Sequence, residues 1–357
     1  MAAKKNAEKL EDTKEGATHE KAESKTTEQE EQARAQRQRD ERVIQTLRAY
    51  KQESESARTG RMAKNRENFD AYNGYQDWTY KQEGQSTEFL PKISGAVEQF
   101  VAFAKRGLIQ FGDWFSVETP SDYPLSAASV QRLLKFHLEN IYDGPNQTTN
   151  VAIRITDALK SACLESLFLL KINARLDDRE QKFGIDPKLQ LQIDLVRNED
   201  YNTDPTGRGL YTVHTVERDL HETKEMAENG AYDVDAVMAI QADFAKVQEA
   251  EDLAQRTNQN APTRASVRKR IQIDELWGTA LYDGNVIGKN ILATVANDQH
   301  LIRKMTENPF WHGEDPFVAA PLIRVPHCVW HKALMDDAVA LNLATNEFFN
   351  LILDGGL

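Results

Sequence analysis

Cysteine is almost absent from this sequence: Cys163 and Cys328 are the only two among 357 residues. Two thiols cannot build a disulfide framework, so stability has to come from a buried core, and the expected compartment is a reducing one. Long apolar runs are missing as well. The longest, such as Leu167–Leu170, fall far short of the roughly 20 residues that span a bilayer, and no apolar segment near Met1 has the form of a secretory leader. Positive charge is the third shortage. Lys and Arg number 44 against 56 Asp and Glu, a formal net charge of −12, which disfavours a protein that grips nucleic acid by neutralising phosphates.

Catalytic motifs are also lacking. No HExxH helix, GxSxG elbow or Walker A loop occurs. The nearest imitation of a phosphate loop is Gly284–Asn290, which has one residue too few between its glycines and puts Asn290 where a metal-binding hydroxyl belongs; it reads as a hairpin. His312, His327, Cys328 and His331 include good zinc ligands, but Pro326 sits among them and the CxxC pairing of structural zinc is absent, so they read as ordinary packing. No catalytic residue, cofactor or metal is expected.

What the chain does contain is helical and β patterning in clear succession. Residues 1 to about 40 hold almost no large apolar side chain beyond Leu10, too little to offset the entropy of ordering, so this tail is expected to be disordered. Met1–Arg42 carries ten basic and eleven acidic residues, which leaves nearly all the net charge on the folded body. Two short helices are expected from Glu41 to Gly74, broken near Thr59-Gly60, then another over Ile93–Ala104. Asp113–Glu118 reads as a short strand. Helices follow over about Ser126–Tyr142 and Thr149–Glu165, then a buried strand at Leu167–Ile172. Leu189, Leu191, Ile193 and Leu195 alternate with polar residues, a half-buried strand whose expected partner is Tyr211–Val216.

The last third has the most informative order. A long helix over about Val234–Ala254 precedes a small β unit within Ile271–Val325, with a hairpin at Asp283-Gly284. A final helix from about Lys332 carries Leu334, Ala338, Leu341, Phe348 and Ile352 at three- and four-residue steps. The fold class is therefore α+β: a mixed helical and β body, with a small β-rich unit inserted between two long helices. Arg264, Arg268, Lys269 and Arg270 form the one dense basic patch, and Asp336-Asp337 reads as acidic charge at a helix N-terminus.

Particular strings carry a resemblance. Asn68–Trp78, Phe89–Lys92 and Gly112–Phe115, then Asn198–Gly207 and Glu228–Asp233, then Glu275–Gly278, Asn308–Gly313 and Asp315–Val318 appear in the order and spacing found in portal proteins, the head-to-tail connectors of tailed bacteriophages, of the podovirus-like kind. The chain resembles that family over about residues 41–353. The resemblance implies a wing-like body at 41–232, a stem-like helix and loop at 233–260, a clip-like β domain at 261–330 and a returning stem helix at 331–357. It also implies that the C-terminal crown region is lacking and that the chain ends early. The implied role is a non-enzymatic homo-oligomeric ring, a dodecamer, at the capsid vertex of the virion, assembled in the host cytoplasm. That ring passes double-stranded DNA during packaging and ejection and meets the terminase large subunit, tail adaptor proteins and capsid protein, with no membrane involved. A scaffolding or adaptor protein without a channel is the alternative. Interface residues expected on this basis are Arg264, Arg268, Lys269, Arg270, Phe310, Trp311 and Phe317, and the acids expected to face the channel are Asp336, Asp337 and Glu347.

Overall fold

The computed structural model describes residues 2–109, 115–118, 124–143, 147–177, 188–242 and 269–355. The chain divides into two compact units, one formed by Met1–Ala49 with Thr215–Trp311 and the other by Tyr50–His214 with His312–Leu357. Helix α1, Ala2–Asn73, supplies residues to both. It runs straight through Thr59-Gly60, where a break was expected. A glycine inside a helix costs only about 1 kcal/mol, and the neighbouring Arg58 and Arg61 hold this turn by tertiary contacts described below. Helical backbone also covers residues 2–40, which were expected to lack order. Strong helix formers dominate that composition, and the described side chains 34–39 are all exposed, so no core holds the segment.

In the first unit, Val43, Ile44 and Leu47 of α1 are buried. The Thr46 hydroxyl donates to the Leu281 carbonyl at 2.9 Å, and the Arg42 guanidinium lies over the Tyr282 ring. The sheet there is built from β7 (Arg270–Tyr282), β8 (Asn285–Ala296) and β9 (His300–Glu307), paired in antiparallel succession. Asp283 and Gly284 both have positive φ, 49° and 73°, the two left-handed residues a tight primed hairpin requires. Helices α5 (Leu220–Glu228) and α6 (234–242) bury Leu220, Val237 and Ile240 with Ile271, Ile273 and Ile302 of the strands. The rest of the long helix expected to reach Ala254 lies outside the described residues.

The second unit contains α2 (Lys92–Leu108), α3 (Pro124–Glu139), α4 (Val151–Glu165) and α7 (Asp336–Gly355). Its five-stranded sheet runs β10 (Phe317–Pro321), β3 (Leu167–Asp177), β4 (Lys188–Leu195), β1 (Ile141–Tyr142) and β2 (Thr148–Thr149). Asn150 caps α4, its Oδ1 accepting from the Ile153 N–H at 2.9 Å, the standard way to satisfy a first-turn donor. The core joins Ile93, Val97 and Val101 of α2 to Leu159, Cys163 and Leu164 of α4 and to Met335 and Val339.

Three expectations are corrected here. Residues 115–118 are not a strand. β4 pairs with β3, in register from Leu170↔Leu195 to Asp177↔Lys188, whereas Tyr211–Val216 lies in β6 (Tyr211–Asp219), whose Thr212–His214 pair with β5 (Tyr201–Thr203). The eleven residues of β3 give β4 a ladder of eight residue pairs. Third, Phe317–Pro321 does not join the small β unit; it pairs antiparallel with β3.

Ser166 closes α4 with φ 96°, fully buried, and its hydroxyl has no hydrogen-bond partner. That backbone region strains a residue bearing a Cβ by about 1–3 kcal/mol. Ser166→Gly is expected to raise the melting temperature by roughly 2–4 °C, measured by thermal unfolding; an unchanged or lower value would show that the hydroxyl is needed.

Candidate functional site

The feature that separates α7 from an ordinary surface helix is that, beyond the first turns where Val339 and Leu343 join the core, its polarity is reversed. Asn342, Asn346 and Asn350 recur every four residues and all three are buried. Opposite them, Leu341 is 71% exposed and Phe348 65%, with Leu351 and Ile352 also open. Of the apolar residues at three- and four-residue steps, Leu341, Phe348 and Ile352 thus point outward, whereas Leu334 and Ala338 pack against the core.

The asparagines face inward because of what they hold. The Leu90 N–H donates to Asn346 Oδ1 at 3.1 Å, and the Glu88 N–H to Asn350 Oδ1 at 2.8 Å, while Asn350 Nδ2 donates back to the Glu88 carbonyl at 2.9 Å. The Ser86 N–H reaches Asp354 Oδ1 at 2.7 Å. Every second residue of an extended segment advances roughly 6.6 Å, and every fourth residue of a helix about 6 Å. The two repeats coincide closely enough for three consecutive rungs. Each rung gives a side-chain partner to backbone groups of a partly exposed segment that lie against the helix. Asn342, the rung before them, has neither amide atom hydrogen-bonded.

The start of α7 is fixed by charge. Asp336 accepts two parallel bonds from Arg61, at 2.5 and 2.6 Å, one from Asn68 Nδ2 at 2.9 Å and one from the Ala333 N–H at 3.1 Å. Both members of the ion pair are about nine-tenths buried. Burial alone would raise the Asp336 carboxyl, but the bonds from Arg61 and Asn68 outweigh it and hold the group below the usual carboxylate range. One turn earlier on α1, the Arg58 guanidinium donates to the carbonyls of Asn198, Glu199 and Tyr201 and lies over the Trp330 ring. Reading the sequence missed Arg58, Arg61 and the asparagines. The four-residue repeat of Asn342, Asn346, Asn350 and Asp354 was a visible signal; the arginines had none.

Of the acids expected to face a channel, Asp336 is corrected: its carboxylate is enclosed by Arg61 and Asn68. Asp337 is 84% exposed beside Lys332. Glu347 accepts from Gln76 Nε2 at 3.0 Å and from the Tyr80 hydroxyl. Among the expected interface residues, Arg264 and Arg268 lie outside the described residues. The Lys269 carbonyl accepts from the Leu220 N–H, and Arg270 approaches Glu217 at 3.5 Å with both side chains largely exposed. Phe310 stacks on Trp277 with ring centroids 5.8 Å apart, and Trp311 beside it is 96% exposed. Phe317, expected as an anchor between subunits, is half-buried. Its ring meets Tyr201 and His214 edge-on and sits under the Lys171 ammonium within its own unit. Among the described residues, no helix is long and apolar enough to cross a membrane.

Two outcomes follow for α7. Asp336→Asn is expected to destabilise the chain by about 3 kcal/mol at neutral pH, because it leaves Arg61 buried without a counter-charge. Since the native carboxyl sits below its unfolded value of about 3.9, its contribution is complete above that value and fades as pH falls further; the gap between wild type and variant in urea unfolding should close in acid. The ladder makes a separate contrast. Asn350→Leu strands the Glu88 N–H and C=O and should cost about 1–3 kcal/mol, whereas Asn342→Leu removes an amide without partners and should be neutral or stabilising. Equal losses at both positions would contradict the assignment of the rungs.

Among curated proteins, no sequence matches this chain. A family model does: that of the phage SU10 portal protein matches residues 153–346, more than half of the chain, from the first turn of α4 to the Asn346 rung of α7. The match takes in the β3–β4 ladder, the β7–β9 unit and the Asp336 anchor, and the chain belongs to the phage SU10 portal protein family, a structural and non-enzymatic component of the virion.

Proposed function

We propose that this protein is the subunit of a homo-oligomeric ring, a dodecamer, at one vertex of a phage capsid, and that the ring is the conduit for double-stranded DNA in packaging and ejection. The observation that carries this reading is the portal family match across residues 153–346. It does not favour a scaffolding or adaptor role without a channel. In this reading the terminase large subunit supplies the ATP chemistry and docks on the ring, and tail adaptor proteins and capsid protein bind other faces of it. The basic run Arg264, Arg268, Lys269 and Arg270 and the exposed Trp311 are the contact residues we assign to neighbouring subunits or terminase, since aromatic and arginine side chains dominate interface energetics.

Charge supports a conduit over a clamp. The body carries nearly all of a net charge of −12, and each phosphate held by a cation would add a salt-sensitive attraction that resists sliding. Asp337 is the acid we assign to the bore; Glu347 accepts from Gln76 and Tyr80, and Asp336 is held in an internal ion pair.

Electron microscopy of the purified full chain is expected to show closed rings with an axial hole. Duplex DNA titrated onto those rings should bind weakly, with little dependence of affinity on salt. A solution of monomers, or tight binding that falls steeply with ionic strength, would overturn the ring or its low adhesion respectively.

A further inference from the structure

We propose that the outward face of α7 docks on α3 of the next copy of this chain, so that the ring closes by a head-to-tail helix contact. This rests on the ring reading above and names the surfaces that would form it.

The α7 face has the spacing of a helix-packing seam. Leu341, Ala344, Phe348, Leu351 and Gly355 follow steps of three, four, three and four residues, the repeat that presents one side chain per turn to a partner helix. All the described members are exposed, and none bears a charge. Glu347 and Asp354 flank the seam on one side, seven residues apart. Their described hydrogen-bond donors, Gln76, Tyr80 and Ser86, are neutral. No Lys or Arg occurs anywhere in α7.

The same unit offers a surface of opposite character. On α3, Val130, Leu133, Leu134 and Phe136 are exposed while Leu138 turns inward to Ile141 and Ile193. Arg132 and Lys135 stand among them, and Glu139 is the only acid of that helix. An acidic-rimmed seam and a basic-rimmed one are complementary to each other and self-repelling in like pairs. Two different patches on one molecule give a heterologous contact, which closes into a ring when the rotation permits, whereas a self-paired patch stops at a dimer. Phe103 and Leu108 are also exposed, but they belong to α2, the helix against which α7 already packs in its own chain.

The test uses the full chain, with mass from light scattering, ring shape from microscopy and fold from thermal melting. Leu341→Glu with Phe348→Glu should abolish rings, and so should Leu133→Glu with Leu134→Glu, each without lowering the melting temperature, because all four side chains are exposed. Mixed together, the two variants retain one intact patch each and should form a two-chain species and nothing larger. Leu341→Ala with Phe348→Ala repeats the test without added charge and should raise the concentration for half-assembly at least roughly tenfold; it also decides the matter if a Glu variant misfolds. Rings from either Glu variant, unchanged assembly of the Ala variant, or a mixture that stays monomeric would overturn the α7–α3 contact while leaving the ring reading intact. Wild-type chain that forms no ring would overturn both.

Discussion

A helix that turns its amides inward and its leucines outward is stable only if something inside needs those amides. In α7 that need is the backbone of Ser86–Leu90, a segment that pairs with no strand among the described residues. Buried peptide groups without partners cost more than a well-placed hydrogen bond contributes. The asparagines therefore stabilise the fold chiefly by preventing a penalty, as side-chain substitutes for a neighbouring strand. The apolar residues of the same helix are left outside as the geometric consequence.

Two arginines of α1 do comparable work one turn apart. Arg58 collects three carbonyls from residues 198–201, where the chain makes a 3-10 turn into β5. Arg61 locks the start of α7 through Asp336. Guanidinium suits both tasks because its donors are planar, divergent and always charged. Gly60 lies between them with open space where a Cβ would be, so its tolerance comes from anchors on either side and not from any packing demand at that position.

This explains which parts of the structure were legible beforehand. Local chemistry was: the two left-handed residues of the β7–β8 turn and the alternation of β4 each sit within a few residues of the signal that reveals them. The family resemblance drawn from short strings fell in the same class. Partner choice over distance was not. The period of α7 was visible, but a period identifies two faces without saying which is buried, and the usual rule that the apolar face goes inside fails where the backbone of another segment competes for it. Phe317 failed for a related reason. Its string reads as part of the small β unit, yet β3 presents an open edge at which Leu170, Leu169 and Phe168 pair with Val318, Ala319 and Ala320.

The outward face of α7 also bears on the strength of the contact proposed for it. Burying a Leu, Ile or Phe side chain is worth about 1.5–3 kcal/mol, so the few exposed on α7 make a contact of modest strength between two copies, much of it offset by the cost of association. Ring closure changes that balance, because the final contact forms at the high effective concentration set by the contacts already made. A patch this size on a rigidly anchored helix can be weak in pairs and strong in a closed circle. Rigidity is what the Asp336 pair and the asparagine rungs contribute: they fix the helix before a neighbour arrives, so little further ordering has to accompany the contact.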